Sequence, residues 1–177
     1  MKVTVFGGST CSEAVGKMAE ELGKLLAQAG HTVITGGYGG VMSAVSKGAR
    51  EAGGEAIGVV LKGIGEPNMF VGVPALADNY WDRLGMLMEM GDAYIAFPGN
   101  SGTSTELLAA LYTQANRMRL LRGSPKKPVI LLYSGFDDEA RIVSFLYHAA
   151  GSDYAFPALL LRTQTPQEAV SYLTPVQ

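Results

Sequence analysis

The sequence predicts an α/β fold, with a mainly parallel sheet and helices on both of its faces. Three observations carry this. Short apolar, β-branched runs alternate along the chain with stretches whose apolar residues recur at helical spacing. Those runs are apolar almost throughout, as in strands covered on both faces, rather than alternating apolar and polar. Glycine-rich loops at 7–8, 36–40 and 99–102 each follow a strand, and in a parallel sheet the strand ends that lead into helices share one edge, where ligands bind near the topological switch point.

The elements follow in order. Val3-Thr4-Val5-Phe6 is a strand stopped by Gly7-Gly8-Ser9-Thr10, and Ala14, Val15, Met18, Leu22, Leu25, Leu26 and Ala29 then mark a helix capped by Gly30. His31 to Thr35 is a second strand, broken by Gly36-Gly37-Tyr38-Gly39-Gly40 before a helix from about Val41 to Ala52 and a Gly53-Gly54 stop. Ala56 to Val60 is a third strand, 63–68 a loop, Phe70 to Val73 a short strand, and Tyr80 to Met90 a helix. Asp92 to Phe97 is a strand and Thr103 to about Leu121 a helix. Pro128 to Tyr133 and Ala158 to Leu161 are strands flanking a helix over Asp137–Ala149, and Pro166 opens a last helix to Leu173.

At 177 residues, 47% apolar and 17% charged, residues 1–177 read as a single globular domain, and the low charge suggests apolar surface hidden in an oligomer. A net charge of −2 leaves no electrostatic footprint for nucleic acid or an anionic membrane. Met1 to Phe6 enters a strand pattern without a signal-type segment, and no 18 apolar residues run together, so the expected location is cytoplasmic and no membrane partner is expected. Cys11 is the single cysteine and offers neither a disulfide nor a zinc site; no metal and no cofactor are expected. His31 and His148 lack metal-type partners at useful spacing and read as structural. Asp137-Asp138-Glu139 reads as complementing a helix dipole, and Met86, Leu87, Met88 and Met90 as core.

The chemistry concentrates in Ala96-Phe97-Pro98-Gly99-Asn100-Ser101-Gly102-Thr103-Ser104-Thr105-Glu106, a turn between strand and helix. Backbone N–H groups at such a helix start have no carbonyl partner and seat an anion, phosphate being the commonest. The first loop lacks the G-x-G-x-x-G spacing, the second strand ends in Gly36-Gly37 rather than an acidic residue, and no P-loop occurs, which excludes the usual dinucleotide and NTP motifs. Glycines 36, 37, 39 and 40 either make a tight connection or allow a close approach to ligand, and their number favours the second reading.

Thr35-Gly36-Gly37-Tyr38-Gly39-Gly40-Val41-Met42 resembles the first glycine-rich motif of the LOG-like proteins, and Pro98-Gly99-Asn100-Ser101-Gly102-Thr103-Ser104-Thr105-Glu106 resembles their signature P-G-G-x-G-T-x-x-E. The resemblance runs from the first strand to the helix after Tyr133. It implies a doubly wound, Rossmann-like domain, commonly dimeric, and phosphoribohydrolase activity that cuts the N-glycosidic bond of cytokinin nucleoside 5'-monophosphates or AMP. The family's two functional side chains fall on Arg83, fifteen residues before Pro98, and on Glu106. Two positions depart from the pattern: Asn100 replaces the second glycine of the signature, and Leu84 stands where catalytic members commonly have lysine. A related branch, similar to molybdenum cofactor carrier proteins, holds a phosphorylated pterin without turning it over, and this alternative stands beside the enzyme.

On this reading Arg83 and Glu106 are the catalytic candidates. Glu106 would stabilise positive charge or orient water at an oxocarbenium-like sugar, and Arg83 would hold Glu106 ionised or bind substrate. Gly99, Ser101, Gly102 and Thr103 would seat the phosphate of a nucleotide, with Gly37, Gly39, Gly40 and Met42 framing the site and Ser9 and Thr10 as further polar groups. Spacing alone also allows Thr103-Ser104-Thr105-Glu106 to be a capping box, with Glu106 reaching back to the helix start. The helix from Thr103 is apolar around most of its circumference, which suggests a homodimer interface beside the site.

Overall fold

The structure, a computed structural model, describes residues 1–120, 127–132 and 160–173, with the backbone alone over 115–120. Lys2–Phe6 (β1), Thr32–Thr35 (β2), Ala56–Leu61 (β3), Val73–Ala77 (β4), Ala93–Ala96 (β5), Val129–Leu132 (β6) and Leu160–Thr163 (β7) form one seven-stranded sheet in the order β4-β3-β2-β1-β5-β6-β7. Every one of these pairings is parallel. The chain lays β2, β3 and β4 on one side of β1, then crosses to place β5, β6 and β7 on the other, the doubly wound Rossmann-like arrangement with its switch point between β1 and β5.

The apolar strands are explained by two cores, one on each face. Val3 and Val5 of β1, Ala93 and Ile95 of β5, and Ile130 and Leu132 of β6 face helices Glu13–Gln28 (α1), Val41–Glu51 (α2) and Pro166–Ser171 (α5). The alternate residues Phe6, Tyr94, Ala96, Val129 and Leu131 face Tyr80–Met90 (α3) and Ser101–Leu120 (α4). Strand side chains point to opposite faces in turn, so a strand covered twice needs apolar residues at both parities. Leu87 and Met88 lie in the second core and Met86 and Met90 pack against it, as their spacing predicts.

Caps fix the helix ends that the sequence marks. Ser12 Oγ accepts the Val15 N–H (3.3 Å) before α1, and Asn79 Oδ1 accepts from Trp81 and Asp82 (both 3.0 Å) before α3. Gly30 and Gly53, with φ of +74° and +81°, turn the chain out of α1 and α2. These two helices approach almost backbone to backbone: a Cβ on Gly23 would strike the Val45 carbonyl, and one on Gly48 the Glu20 carbonyl.

Three boundaries differ from expectation. The fourth strand is Val73–Ala77 rather than Phe70–Val73. It pairs with β3 alone, and Val73, Pro74 and Leu76 are exposed, so neither strong β propensity nor an N–H at Pro74 is demanded of it. The last strand extends to Thr163 because Arg162 and Thr163 pair with Leu131 and Leu132. Helix α4 begins at Ser101, two residues before Thr103. The expected helix at 137–149, with its acidic run and His148, lies outside the described residues. No helix among the described residues is long and apolar enough to cross a membrane.

Candidate functional site

The carboxyl ends of β1, β2 and β5 carry the three glycine-rich loops, as the parallel topology requires. The first two are locked together. The Val41 N–H, at the start of α2, donates to Gly8 O (3.0 Å), and Gly40, with φ +61°, sits so close to Gly8, Ser9 and Thr10 that a Cβ there would lie 2.5 Å from the Ser9 carbonyl carbon. Gly39 approaches Ser9 O less closely, at 3.0 Å for an added Cβ. Ser9 and Thr10 are exposed, Met42 is buried, and Gly37 takes φ +79° while donating its N–H to Thr35 Oγ1 (3.1 Å). Each of glycines 36, 37, 39 and 40 thus has a packing or turn reason within the chain, and their number alone does not require a ligand.

Gly36 has the most specific reason. Its missing side chain makes room for Arg83, whose Nη2 would collide with a Cβ at this position. From α3, Arg83 donates through Nε to Val59 O (2.8 Å) and through Nη2 to Gly36 O (3.0 Å), while Nη1 lies 3.5 Å from Glu106 Oε1. Arg83 is 8% exposed and Glu106 9%, so both charges are held largely away from water. Burial pushes the Glu106 carboxyl up from 4.5 to about 7, with the Arg83 charge and hydrogen bond pulling the other way. A carboxyl poised there exists in both protonation states near neutral pH, a property suited to acid–base work.

Sequence spacing left Glu106 with a second role, which the geometry removes. With α4 starting at Ser101, Thr103 is the third helical residue and Glu106 lies beyond the reach of a capping box. Asn100 precedes the helix, and its carbonyl accepts from Ser104 N–H (3.0 Å) and Ser104 Oγ (3.2 Å). The early N–H groups of Ser101, Gly102 and Thr103 have no carbonyl one turn back within the helix and face its open end. Thr103 is buried, its side chain folded over Gly99 with Cβ 2.8 Å from where a Gly99 Cβ would stand, so its hydroxyl points back into the turn.

The two departures from the motif have plain structural accounts. No non-glycine residue has positive φ among the described residues, so Asn100 sits in an ordinary conformation and the turn does not need glycine there. Leu84 is half-buried against the core formed with α3 and α4.

Sequence reasoning missed two residues that hold the site. Tyr38 places its ring under the Arg83 guanidinium, 5.6 Å from the ring centroid. Asn68, assigned only to a loop, donates through Nδ2 to Gly37 O (3.1 Å) and Tyr38 O (2.9 Å) and so clamps the second glycine loop. The signal for Tyr38 was present, since an aromatic inside a run of glycines is not needed to make a turn; Asn68 had none. A cavity of about 670 Å³ lies elsewhere, between α1 and α2 against Glu20, Lys24 and Glu51; its walls are surface ion-pairing groups, and the chemistry resides with the buried pair. Among the described residues no three His, Cys, Asp or Glu side chains converge as for a metal.

Residues 1–155 match the model of the SLOG cluster4 family. A cytokinin riboside 5'-monophosphate phosphoribohydrolase of Rhodococcoides fascians is 29% identical over 171 residues, 88% of this chain and 79% of that protein. The rice cytokinin riboside 5'-monophosphate phosphoribohydrolase LOG is 35% identical over 142 residues, 72% of this chain and 55% of the rice protein. Among solved structures, the molybdenum cofactor carrier protein of Chlamydomonas reinhardtii is similar at a TM-score of 0.74 and 27% identity, over 97% of this chain and 94% of that one.

Proposed function

The chain belongs to the SLOG cluster4 family, among LOG-like proteins, and from that premise we propose that it hydrolyses the N-glycosidic bond of a nucleoside 5'-monophosphate, AMP or a cytokinin-type nucleotide. The observation that carries this is the buried Arg83–Glu106 pair at the carboxyl edge of the sheet, with the carboxyl titrating near 7. A solvated surface pair would have no reason to be buried at the cost of desolvating two charges.

In the reaction the C1'–N bond breaks and its electron pair leaves with the base, which takes up a proton. Water adds its oxygen to C1' and gives up a proton, yielding ribose 5-phosphate. Ionised Glu106 stabilises the developing positive charge on the sugar and accepts the proton from water, a contribution of about 10²–10⁴ in rate for general base catalysis. Arg83 is already committed to Val59 O and Gly36 O, so its part is to hold Glu106 in place and keep a counter-charge beside it. The phosphate takes the open N–H groups of Ser101, Gly102 and Thr103, where the α4 dipole adds about 0.3–2 kcal/mol. Gly99, Gly37, Gly39, Gly40, Met42, Ser9 and Thr10 form the surrounding wall.

The same reading makes the protein a cytoplasmic homodimer formed through α3 and α4, whose exposed residues include Trp81 at 74%. Sedimentation at several concentrations tests the dimer, and a monomer throughout removes it. The competing reading, a carrier of a phosphorylated ligand, is favoured by the likeness to the Chlamydomonas carrier.

Incubation of the pure protein with AMP and its prenylated derivative separates the two. Release of free base and ribose 5-phosphate, lowered about a hundredfold or more in Glu106→Ala, is the expected result. No release from either nucleotide, together with tight binding of a pterin phosphate, would leave the carrier.

A further inference from the structure

We propose that Tyr38 is a positioning residue whose ring carries the Arg83 guanidinium and thereby sets the separation of Arg83 and Glu106. The two carbonyls that grip Arg83 hold one edge of its plane, Nε on Val59 O and Nη2 on Gly36 O. Two bonds along one edge leave a hinge about that edge. Nη1, which faces Glu106 at 3.5 Å, lies off the hinge and swings with it. The Tyr38 ring, with Arg83 Cζ 5.6 Å from its centroid, closes one side of that swing and attracts the cation to its face.

Tyr38 is itself fixed at its far end. Its hydroxyl accepts the Leu61 N–H (2.9 Å) and donates to Ile64 O (2.9 Å). The backbone end is held by Asn68 through Tyr38 O. The ring is therefore a strut from the second glycine loop to the end of β3, with Arg83 resting on its middle. Among the described residues Arg83, from α3, is the charged group acting on Glu106.

The inference rests on the proposed function only for its effect on turnover; the positional claim needs no substrate. The test is a carbon-13 NMR titration of the Glu106 carboxyl, assigned by its loss in Glu106→Gln, in the wild type, Tyr38→Phe and Tyr38→Leu. Tyr38→Leu removes the ring and lets Arg83 swing away, so the Glu106 midpoint rises by about half a pH unit or more. Tyr38→Phe keeps the ring and holds the midpoint within about 0.2 unit of wild type. An unmoved midpoint in Tyr38→Leu overturns the proposal, and so does an equal shift in both variants, which would assign the effect to the hydroxyl's hold on the loop. If Tyr38→Leu does not fold, replacing Tyr38 by 3,5-difluorophenylalanine weakens the ring face at nearly constant shape; a midpoint above that of Tyr38→Phe is then required, and equality refutes the strut. Should the wild type release nothing from AMP or from its prenylated derivative, the enzyme reading fails while the titration still decides the role of Tyr38.

Discussion

Raising the pH from 5 to 8 should cost this protein stability specifically through Glu106. Folded, its carboxyl titrates at about 7, mainly because it is buried; unfolded, it returns to 4.5. Between those values the native state holds a proton that the unfolded chain has released. Stability therefore falls as pH rises across the window, is fully supported below about 4.5, and has lost the contribution above about 7. At 1.36 kcal/mol per pKa unit, the interval from pH 5 to 8 amounts to about 2–3 kcal/mol. Glu106→Gln keeps the shape of the neutral carboxyl and cannot titrate, so it supplies the reference. Urea unfolding of both proteins at pH 5, 6, 7 and 8, with the difference taken at each pH, removes the other groups. Wild type should lose about 2–3 kcal/mol relative to the variant over the range. A difference flat to within about 0.5 kcal/mol, or one that grows in favour of wild type, would show that Arg83 keeps Glu106 ionised throughout and would refute its poise near neutrality.

Three substitutions test the surrounding frame. Gly36→Ala drives a methyl into Arg83 Nη2 and to 2.7 Å from Met42 Sδ, and should cost about 1–3 kcal/mol and lower AMP turnover more than tenfold; a normal rate would mean that Arg83 need not lie where it does. Gly48→Ala pushes a methyl into the Glu20 backbone carbonyl and should destabilise by about 1–3 kcal/mol in urea while leaving KM unchanged, since it separates α1 from α2 away from the site. Asn100→Gly, which restores the glycine of the LOG-like motif, should alter stability by less than about 0.5 kcal/mol and turnover by less than twofold, because Asn100 does not have the positive φ that glycine would relieve. A large gain of activity would show instead that Asn100 blocks the phosphate seat.

Much of the fold was legible because its signals are local. The apolar runs and the glycines at 30 and 53 act within a few residues of themselves, and the elements they mark stand within a residue or two of expectation. The edge strand was not, since pairing on one side asks little of a sequence, and Val73-Pro74-Ala75-Leu76-Ala77 reads as no strand. The start of α4 was misjudged because Thr103 invites a cap, whereas the helix had already begun at Ser101.

By itself the sequence determined the alternation of strand and helix, the glycine loops after β1, β2 and β5, and the spacing between Arg83 and Glu106 that directs attention to them. Whether these two side chains meet was beyond it. Pro98 lies fifteen residues beyond Arg83, past the rest of α3, a turn and β5, and the encounter of Arg83 with Glu106 depends on β5 crossing to the far side of β1, which lets α3 and α4 pack on one face of the sheet. The partners of Arg83 are more distant still: Gly36 O and Val59 O lie on loops and strands 47 and 24 residues away. Burial, which raises the Glu106 carboxyl, is a property of everything packed around it. Local pattern fixes which groups are available, but only the folded sheet decides which of them share a low-dielectric space, and the acid–base character of the pair arises there.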